Sequence, residues 1–358
     1  MLDLNKISEN KKIYVGLSGG VDSSVSALLL KQQGYDVTGV FIKGWQPDWI
    51  PCTWKTDRIS AMRTAAHLDI PFITLDLEKE YKDKVVSYIL DEYSKGRTPN
   101  PDMLCNREIK FGHFLRWALR QGADMVATGH YAQVIDGKLV ESEDKEKDQS
   151  YFLSQLTSEN LSKIIFPIGH LVKTEVRKIA TEYGLPVASR KDSQGICFVG
   201  DLSMKQFLKK ELQPIPGKVL NKDGEIIGEH EGAILYTLGE RHGFIIYNQK
   251  TEQETMYVVD KDIIKNTITV SSKVDPLDNV SKNVFLQNFS YALNPVYLKK
   301  VNELTLRTRY RGQKYPVKIV QVNDQGILLE VEEKVEVTPG QFGVLYDRGI
   351  CLGGGEIK

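Results

Sequence analysis

The run Lys12-Ile13-Tyr14-Val15-Gly16-Leu17-Ser18-Gly19-Gly20-Val21-Asp22-Ser23-Ser24 decides how the first half of the chain is read. Lys12–Leu17 has the apolar, β-rich character of a strand. Asp22–Gln33 reads as a helix. Val21, Val25, Leu28 and Leu29 fall at i, i+4, i+7 and i+8, and Gly34 stops the last turn. Ser18–Ser24 joins the two. A glycine-rich turn running into a helix N-terminus offers backbone N–H groups to an anion, and the serines add hydroxyl donors. A Walker A loop would close with Gly-Lys-Ser/Thr, and that lysine is missing here. The loop therefore suits a pyrophosphate leaving group better than γ-phosphoryl transfer. The alternative is a Ser/Gly turn in which Asp22 or Ser23 only caps the helix.

Outward from this loop, strand and helix alternate. Strands are expected at Asp36–Ile42, Pro71–Asp76 and Met125–Thr128. Helices are expected at Thr56–Leu68, Leu77–Ser94, Asn106–Gln121 and Lys173–Tyr183. This β-α-β order implies an α/β domain, Rossmann-like, with a parallel sheet covered on both faces. The pattern changes near Gln213. Short β-rich runs then alternate with turn signals, at Gly217–Leu220, Met256–Val259, Thr267–Val270, Leu304–Tyr310, Pro316–Val322 and Ile327–Val331. A break near Val274-Asp275-Pro276 divides this half. The expected domains are a catalytic α/β domain at 1–212, a small β-rich central domain at 213–275 and a C-terminal β-barrel at 276–358. Glu141–Asp148 reads as an exposed charged loop.

The 358 residues include 47 basic and 47 acidic side chains, so any basic surface is a local patch. The first residues, Met1 to Lys12, are polar and lack a secretory apolar core, and no apolar run could span a bilayer. A cytoplasmic protein with no membrane partner is expected. Four cysteines are too few for a disulfide scaffold, and none share C-x-x-C spacing, so no metal site is assigned.

Several further segments accompany the loop: Thr98–Phe111 (TPNPDMLCNREIKF), Ala127–Ala132 (ATGHYA), Lys147–Leu153 (KDQSYFL) and Ser193–Phe198 (SQGICF). With Ser18–Ser24, which looks like the ATP pyrophosphatase signature, they resemble the bacterial tRNA-specific 2-thiouridylases. The resemblance runs from about Lys12 to Glu356, and its motifs are long and ordered. It implies ATP-dependent 2-thiolation of the wobble uridine in a tRNA anticodon loop. The uracil C2 oxygen would be adenylated, and sulfur from a cysteine persulfide would replace it, with AMP and pyrophosphate released. Such an enzyme is a tRNA-uridine 2-sulfurtransferase. Its partners would be tRNA and a persulfide-donating cysteine desulfurase or sulfur-relay protein. Two other classes compete. An ATP pyrophosphatase for amination would need an ammonia source and would leave the cysteines unexplained. A tRNA-binding protein with a vestigial loop would not turn over ATP.

The residues themselves support a thiol site. Asn100-Pro101-Asp102 reads as a turn running into a helix from Cys105, beside Arg107. A helix N-terminus and a cation both favour a thiolate, and Asp102 can serve as proton donor or acceptor. Cys197 lies in a glycine-containing segment suited to a mobile loop. The plainer reading is two small, semi-buried side chains. In the family, the residue matching Cys197 carries the persulfide, and the residue matching Cys105 acts as nucleophile and can pair with it in a disulfide. Cys52, among Trp45, Trp49 and Trp54, is expected in a packed loop, and Cys351 is expected to be structural. Only Asp57 follows Cys52 where relatives usually have more carboxylates.

The resemblance also carries ATP binding onto Gly16, Leu17, Ser18, Gly19, Gly20, Val21, Asp22, Ser23, Ile42 and Gly129, with Mg²⁺ held largely by phosphate oxygens and water. Ile42 is otherwise a simple core residue. For RNA, Lys299 to Lys318 holds seven basic residues and one acid, Glu303. Arg307, Arg309 and Arg311 fall at period two and would share one strand face, either a phosphate-binding row or a solvated barrel face. The family's tRNA contacts map to Asn100, Pro101, Asp102, His130, Lys147, Asp148, Gln149, Arg309, Tyr310 and Gln341.

Overall fold

The computed structural model describes residues 11–50, 52, 54–191, 203–247, 254–272, 280–301 and 303–358. Cys197 and the boundary at 273–279 lie outside the described residues. The N-terminal sheet contains β1 (Lys12–Gly16), β2 (Asp36–Lys43), β3 (Phe72–Asp76), β4 (Met125–Thr128) and a later strand, Ile164–Ile165. All pair in parallel, in the order β3-β2-β1-β4 and then Ile164–Ile165. Helices α1 (Val21–Gln32) and α2 (Trp54–His67) return the chain between strands. A longer helical stretch, α3, spans 78–94, and α4 spans 101–120.

Alternation along the strands explains the double cover. Ile13, Val15, Val37 and Phe41 face one apolar core with Val25 and Leu28 of α1. Val40, Ile42 and Val126 face the other, with Phe111 and Phe114 of α4. The expected doubly covered parallel sheet is present. Strand order reverses between β1 and β4, so their carboxyl ends form the crevice where such sheets bind ligands.

One helix starts earlier than its sequence indicates. Asn100 is the N-cap of α4, its Oδ1 accepting from Met103 N at 3.2 Å, and Pro101 occupies the first helical position. The expected turn before Cys105 is therefore the helix's first turn. Cys105–Phe114 is wound as a π-helix, a wider coil uncommon outside functional segments.

Beyond the helix Met204–Leu212, five strands form a separate mixed sheet: Phe244–Ile246, Ile226–His230, Gly217–Leu220, Thr267–Ser271 and Tyr257–Asp262. The last sheet is antiparallel. Val280–Tyr291, Gly326–Glu336, Lys314–Asn323, Leu304–Arg307, Phe342–Asp347 and Ile350–Ile357 pair in that order, and the first pairs again with the last to close a barrel. A hairpin of the first half, β5 (Ala132–Ile135) and β6 (Lys138–Glu141), extends this sheet through Ile350 opposite Val140. The N-terminal half and the barrel thus share one sheet.

Two expectations fail here. The strand expected to Tyr310 ends at Arg307, because Arg309–Gly312 forms a turn with Arg311 at φ 57° and Gly312 N donating to Arg309 O at 3.0 Å. The three arginines do not share a strand face. Nor is Glu141–Asp148 exposed throughout: Glu143, Lys145 and Glu146 are exposed as expected, but Glu141, Ser142 and Asp148 are buried against the barrel.

Candidate active site and RNA-facing surface

The loop after β1 is held by its own serines. Ser18 N donates to Ser23 Oγ at 3.2 Å, and Ser24 Oγ donates to Gly20 O at 2.8 Å. Gly20 is the N-cap of α1, so Asp22 and Ser23 lie inside the helix and neither occupies the capping position. Gly19 adopts φ 81°, where a side chain would also press on the Asp57 carbonyl. Arg190 Nη1 donates to Gly19 O at 2.9 Å, and its other nitrogen pairs with Asp57. Gly129 follows β4, and a Cβ there would sit 2.6 Å from Ser23 N. The end of β4 therefore meets the first turn of α1 backbone to backbone, beside the kind of helix N-terminus that suits an anion.

Asp22 is turned aside. Lys173 Nζ contacts its two oxygens at 2.7 and 2.9 Å, and Tyr131 OH donates to Oδ1 at 2.9 Å. Gly16 pairs with Thr128 across the crevice, Leu17 is buried beside the loop, and Val21 and Ile42 are core residues. His130 is also buried. Its Nδ1 lies 2.7 Å from Thr128 Oγ1 and its Nε2 3.3 Å from Lys110 Nζ, with Phe111 and Phe166 packed on the ring. Burial, with the Lys110 charge beside it, holds the imidazole well below the usual histidine range, so it is neutral.

Cys105 is the fifth residue of α4 and wholly buried. The helix dipole acts mainly within the first turn, so that part of the sequence argument applies to Asp102, at the second position, rather than to Cys105. Asn106, the next residue, donates from Nδ2 to Phe152 O at 3.1 Å. Phe152 packs on Tyr310 with ring centroids 4.3 Å apart. Gln341 donates from Nε2 to Thr98 O at 2.7 Å, so a barrel loop grips the segment leading to Asn100.

A cleft of about 510 Å³ opens between hairpin and barrel, lined by Lys145, Glu146, Asp148, Arg307, Tyr310 and Arg311. Arg307 and Lys314 are not open to solvent phosphates. Lys314 Nζ lies 2.6 Å from Glu141, and Arg307 lies 3.5 Å from both Glu141 and Asp148. Asp148 also accepts from Ser142 N and Ser150 Oγ, and burial pushes its carboxyl up. Gln149 accepts from Tyr131 N at 2.9 Å. Charges that do project outward include Lys145, Arg309, paired at 3.0 Å with exposed Glu336, and Arg311, which donates to Glu146 O at 2.9 Å.

The comparisons agree with this architecture. Residues 11–201 match the tRNA methyl transferase HUP domain, 205–272 the tRNA methyl transferase PRC-barrel domain and 281–357 the aminomethyltransferase beta-barrel domain. A tRNA-specific 2-thiouridylase MnmA 1 of Geobacillus kaustophilus is 46% identical over 96% of this chain and 95% of its own. Proteins named tRNA-specific 2-thiouridylase MnmA from Alkaliphilus oremlandii and Lacticaseibacillus paracasei are 44% and 43% identical, covering 99% and 98% of the chain and 99% and 95% of their own. The chain belongs to the tRNA-specific 2-thiouridylase family.

In this member of the family, the loop after β1, Gly129 and His130 come together at the crevice, while of the residues expected to contact tRNA only Asp148 and Tyr310 line the barrel cleft, and Arg309 pairs instead with Glu336. Cys351 is buried, its thiol pushed up to about 12 by burial, and is inert packing as expected. Cys52, expected in a packed loop, is instead exposed. Sequence reasoning passed over Lys173 and Arg190, and gave Asp57 no place beside the loop. No local motif marks these residues, and only the fold brings them there. No cluster of metal-ligating side chains occurs among the described residues, and no helix there is long and apolar enough to cross a membrane.

Proposed function

We propose that this protein catalyses ATP-dependent 2-thiolation of the wobble uridine of tRNA. The observation that carries the reading is the anion cradle at the β1–β4 crossover, closed by Gly129 against the first turn of α1. The glycine brings the β4 end against the first turn of α1, and a helix N-terminus at a strand crossover suits phosphate. The chain's near-complete match to proteins named 2-thiouridylases supplies the substrate class.

In this reading Gly16–Ser23 and Gly129 hold the ATP phosphates, and Ile42 packs near the base. Among acids at the loop, Asp22 is engaged by Lys173 and Tyr131, which fits Mg²⁺ carried by phosphate oxygens and water. The uracil C2 oxygen bonds to the α-phosphorus and pyrophosphate leaves. Asp102, in the first turn of the helix that carries Cys105, accepts the uracil N3 proton as the C2 oxygen is adenylated. Cys197 carries the persulfide, delivered by a cysteine desulfurase or relay protein. Its outer sulfur attacks C2, or Cys105 first displaces that sulfur as sulfide. AMP leaves with the former C2 oxygen; in the first route the Cys105 thiolate then attacks Cys197 Sγ and breaks its bond to the C2-bound sulfur, freeing the thiouridine, so both routes end in a Cys105–Cys197 disulfide that an external thiol must reduce. The catalytic functions lie in 1–212, while 213–275 and 276–358 grip tRNA through Arg309, Tyr310 and Gln341, with Asn100, Pro101, His130 and Lys147–Gln149 facing the anticodon loop. Flipping the target base is least costly from such a loop.

The deciding experiment is nucleoside mass spectrometry of unmodified tRNA incubated with the protein, ATP, Mg²⁺ and a persulfide source. Wild type is expected to form 2-thiouridine, and Cys105→Ser and Cys197→Ser are expected to form none. Normal thiolation by Cys197→Ser protein would overturn the sulfur route. ATP consumption with no thiouridine would overturn the product.

A further inference from the structure

We propose that Lys173 is the cation of the phosphate site: it leaves Asp22 for the outer phosphates of bound ATP and stays with pyrophosphate as that group departs. The inference rests on the ATP-dependent reading above and adds a residue to it.

The argument starts from a lysine the loop lacks. Phosphate loops of the Walker kind place a lysine on the outer phosphates, and Ser18–Ser24 has none. Lys173 brings one to the same place from 151 residues away. Its amine reaches the second residue of α1, at the positive end of the helix. Its own helix, Lys173–Glu182, starts at this position and is anchored there. Lys173 N donates to Asp144 Oδ2 at 2.9 Å, and Val172 N donates to Glu175 Oε2 at 3.0 Å. The backbone at Lys173 is therefore fixed, and four methylenes give the ammonium the reach to change partners.

Asp22 explains why the amine waits. A carboxylate at an anion-binding helix end repels a phosphate unless something neutralises it. Lys173 does so through both oxygens, and Tyr131 holds one of them. The Lys173 side chain is 12% exposed against 30% for Asp22, so the pair is shielded but reachable from the crevice. When ATP arrives, the ammonium exchanges one carboxylate for phosphate oxygens of higher charge. As the uracil oxygen bonds to the α-phosphorus, the bond from that phosphorus to the β-phosphate oxygen breaks, and pyrophosphate keeps the electron pair. Lys173 remains protonated throughout and transfers no proton.

The test is binding of inorganic pyrophosphate to the full chain by calorimetry without divalent cation, alongside tRNA-dependent ATP–pyrophosphate exchange. Lys173→Met is expected to weaken pyrophosphate binding by at least about tenfold, the loss of one charge-assisted contact, and to slow exchange. Asp22→Asn removes the competing carboxylate and is expected to tighten pyrophosphate binding several-fold. That gain should vanish in Asp22→Asn/Lys173→Met. A lysine that only pins its helix and neutralises Asp22 would also weaken binding in Lys173→Met, by exposing that carboxylate, but would let the Asp22→Asn gain persist in the double variant. A persisting gain overturns the proposal, and so does unchanged affinity in Lys173→Met. Should Lys173→Met fail to fold, Asp22→Asn against the double variant, which leaves no unpaired charge, makes the same comparison. Wild-type protein that binds neither pyrophosphate nor ATP overturns the nucleotide reading as well. Wild-type binding with an indifferent Lys173→Met overturns this inference alone.

Discussion

Gly129→Ala tests the geometry on which the phosphate site depends. The added Cβ would lie 2.6 Å from Ser23 N, 2.7 Å from Asp22 C and 2.9 Å from Ser23 Cα. Ordinary contact begins near 3.4 Å, so the β4–β5 turn and the first turn of α1 must separate by about 0.8 Å. All three obstructing atoms are backbone, and none can rotate away. Overpacking of this sort costs about 1–3 kcal/mol, and alanine offsets about 0.4–1 kcal/mol of it by restricting the unfolded chain. A net loss of about 1–2 kcal/mol is expected in urea denaturation. Activity should suffer more, because displacing reacting groups by close to 1 Å can cost about 10²-fold. Gly137→Ala is the control. Gly137 has φ 73° in the β5–β6 turn with nothing within 4 Å of a new Cβ. It should lose about 1 kcal/mol from backbone strain alone and keep full ATP–pyrophosphate exchange. Gly129→Ala protein that exchanges within threefold of wild type would refute the reasoning, since the turn and helix would then not be in fixed register.

Glu141→Ala should loosen the barrel from the first half of the chain, because it leaves Arg307 and Lys314 without their shared acid beside Tyr346. A loss of about 1–3 kcal/mol in the urea midpoint is expected, with faster amide exchange in Ala132–Glu141, and an unchanged midpoint would mean the cluster contributes nothing. His130 should make stability fall as pH drops below about 6.5, where the unfolded imidazole takes up a proton that the buried native one refuses. The slope from this group is at most about 1.4 kcal/mol per pH unit, and His130→Asn should flatten the profile there. A parallel profile for the variant would show that His130 is protonated in the native state.

How far the sequence could be read depended on whether the signal was local. The parallel strands around the phosphate loop were legible because buried strands carry continuous apolar runs. Lys12–Gly16, Asp36–Lys43, Phe72–Asp76 and Met125–Thr128 each lie within a residue of expectation. The start of α4 was missed although Asn100-Pro101 is a cap followed by proline, because the pair was read as a turn. The β5–β6 hairpin was missed although Asp136-Gly137, both with positive φ, marks its turn. Ile350–Ile357 was passed over because Gly353-Gly354-Gly355 does not look like a strand. Its glycines let neighbouring elements approach: a Cβ on Gly354 would meet Ser154 Oγ at 2.7 Å. The site residues divide the same way. The loop was contiguous and visible, whereas Lys173, Asp57 and Arg190 converge from separate helices and a connecting segment.

The arginine row shows what pattern alone misjudges. Period two over Leu304–Arg311 assigned all three arginines to one face, but the chain turns after Arg307, and each meets a different environment. Arg307 is drawn inward by Glu141 and Asp148, which the charged run 141–148 had presented as solvated. The zero net charge of the chain is realised partly here, as acids of the first half neutralise bases of the barrel. This pairing has a mechanical consequence. The barrel is bound to the first half by a shared sheet at Val140 and Ile350, by Tyr151 OH donating to Phe342 O, and by Gln155 Nε2 donating to Gly354 O. From Tyr310 the contacts run through Phe152 to Asn106, the neighbour of Cys105. A nucleic acid seated against Arg309 and Tyr310 therefore rests on the same framework that holds the thiol helix. On the proposed reading, its docking would bear on the Cys105 helix through these packed side chains rather than across a linker.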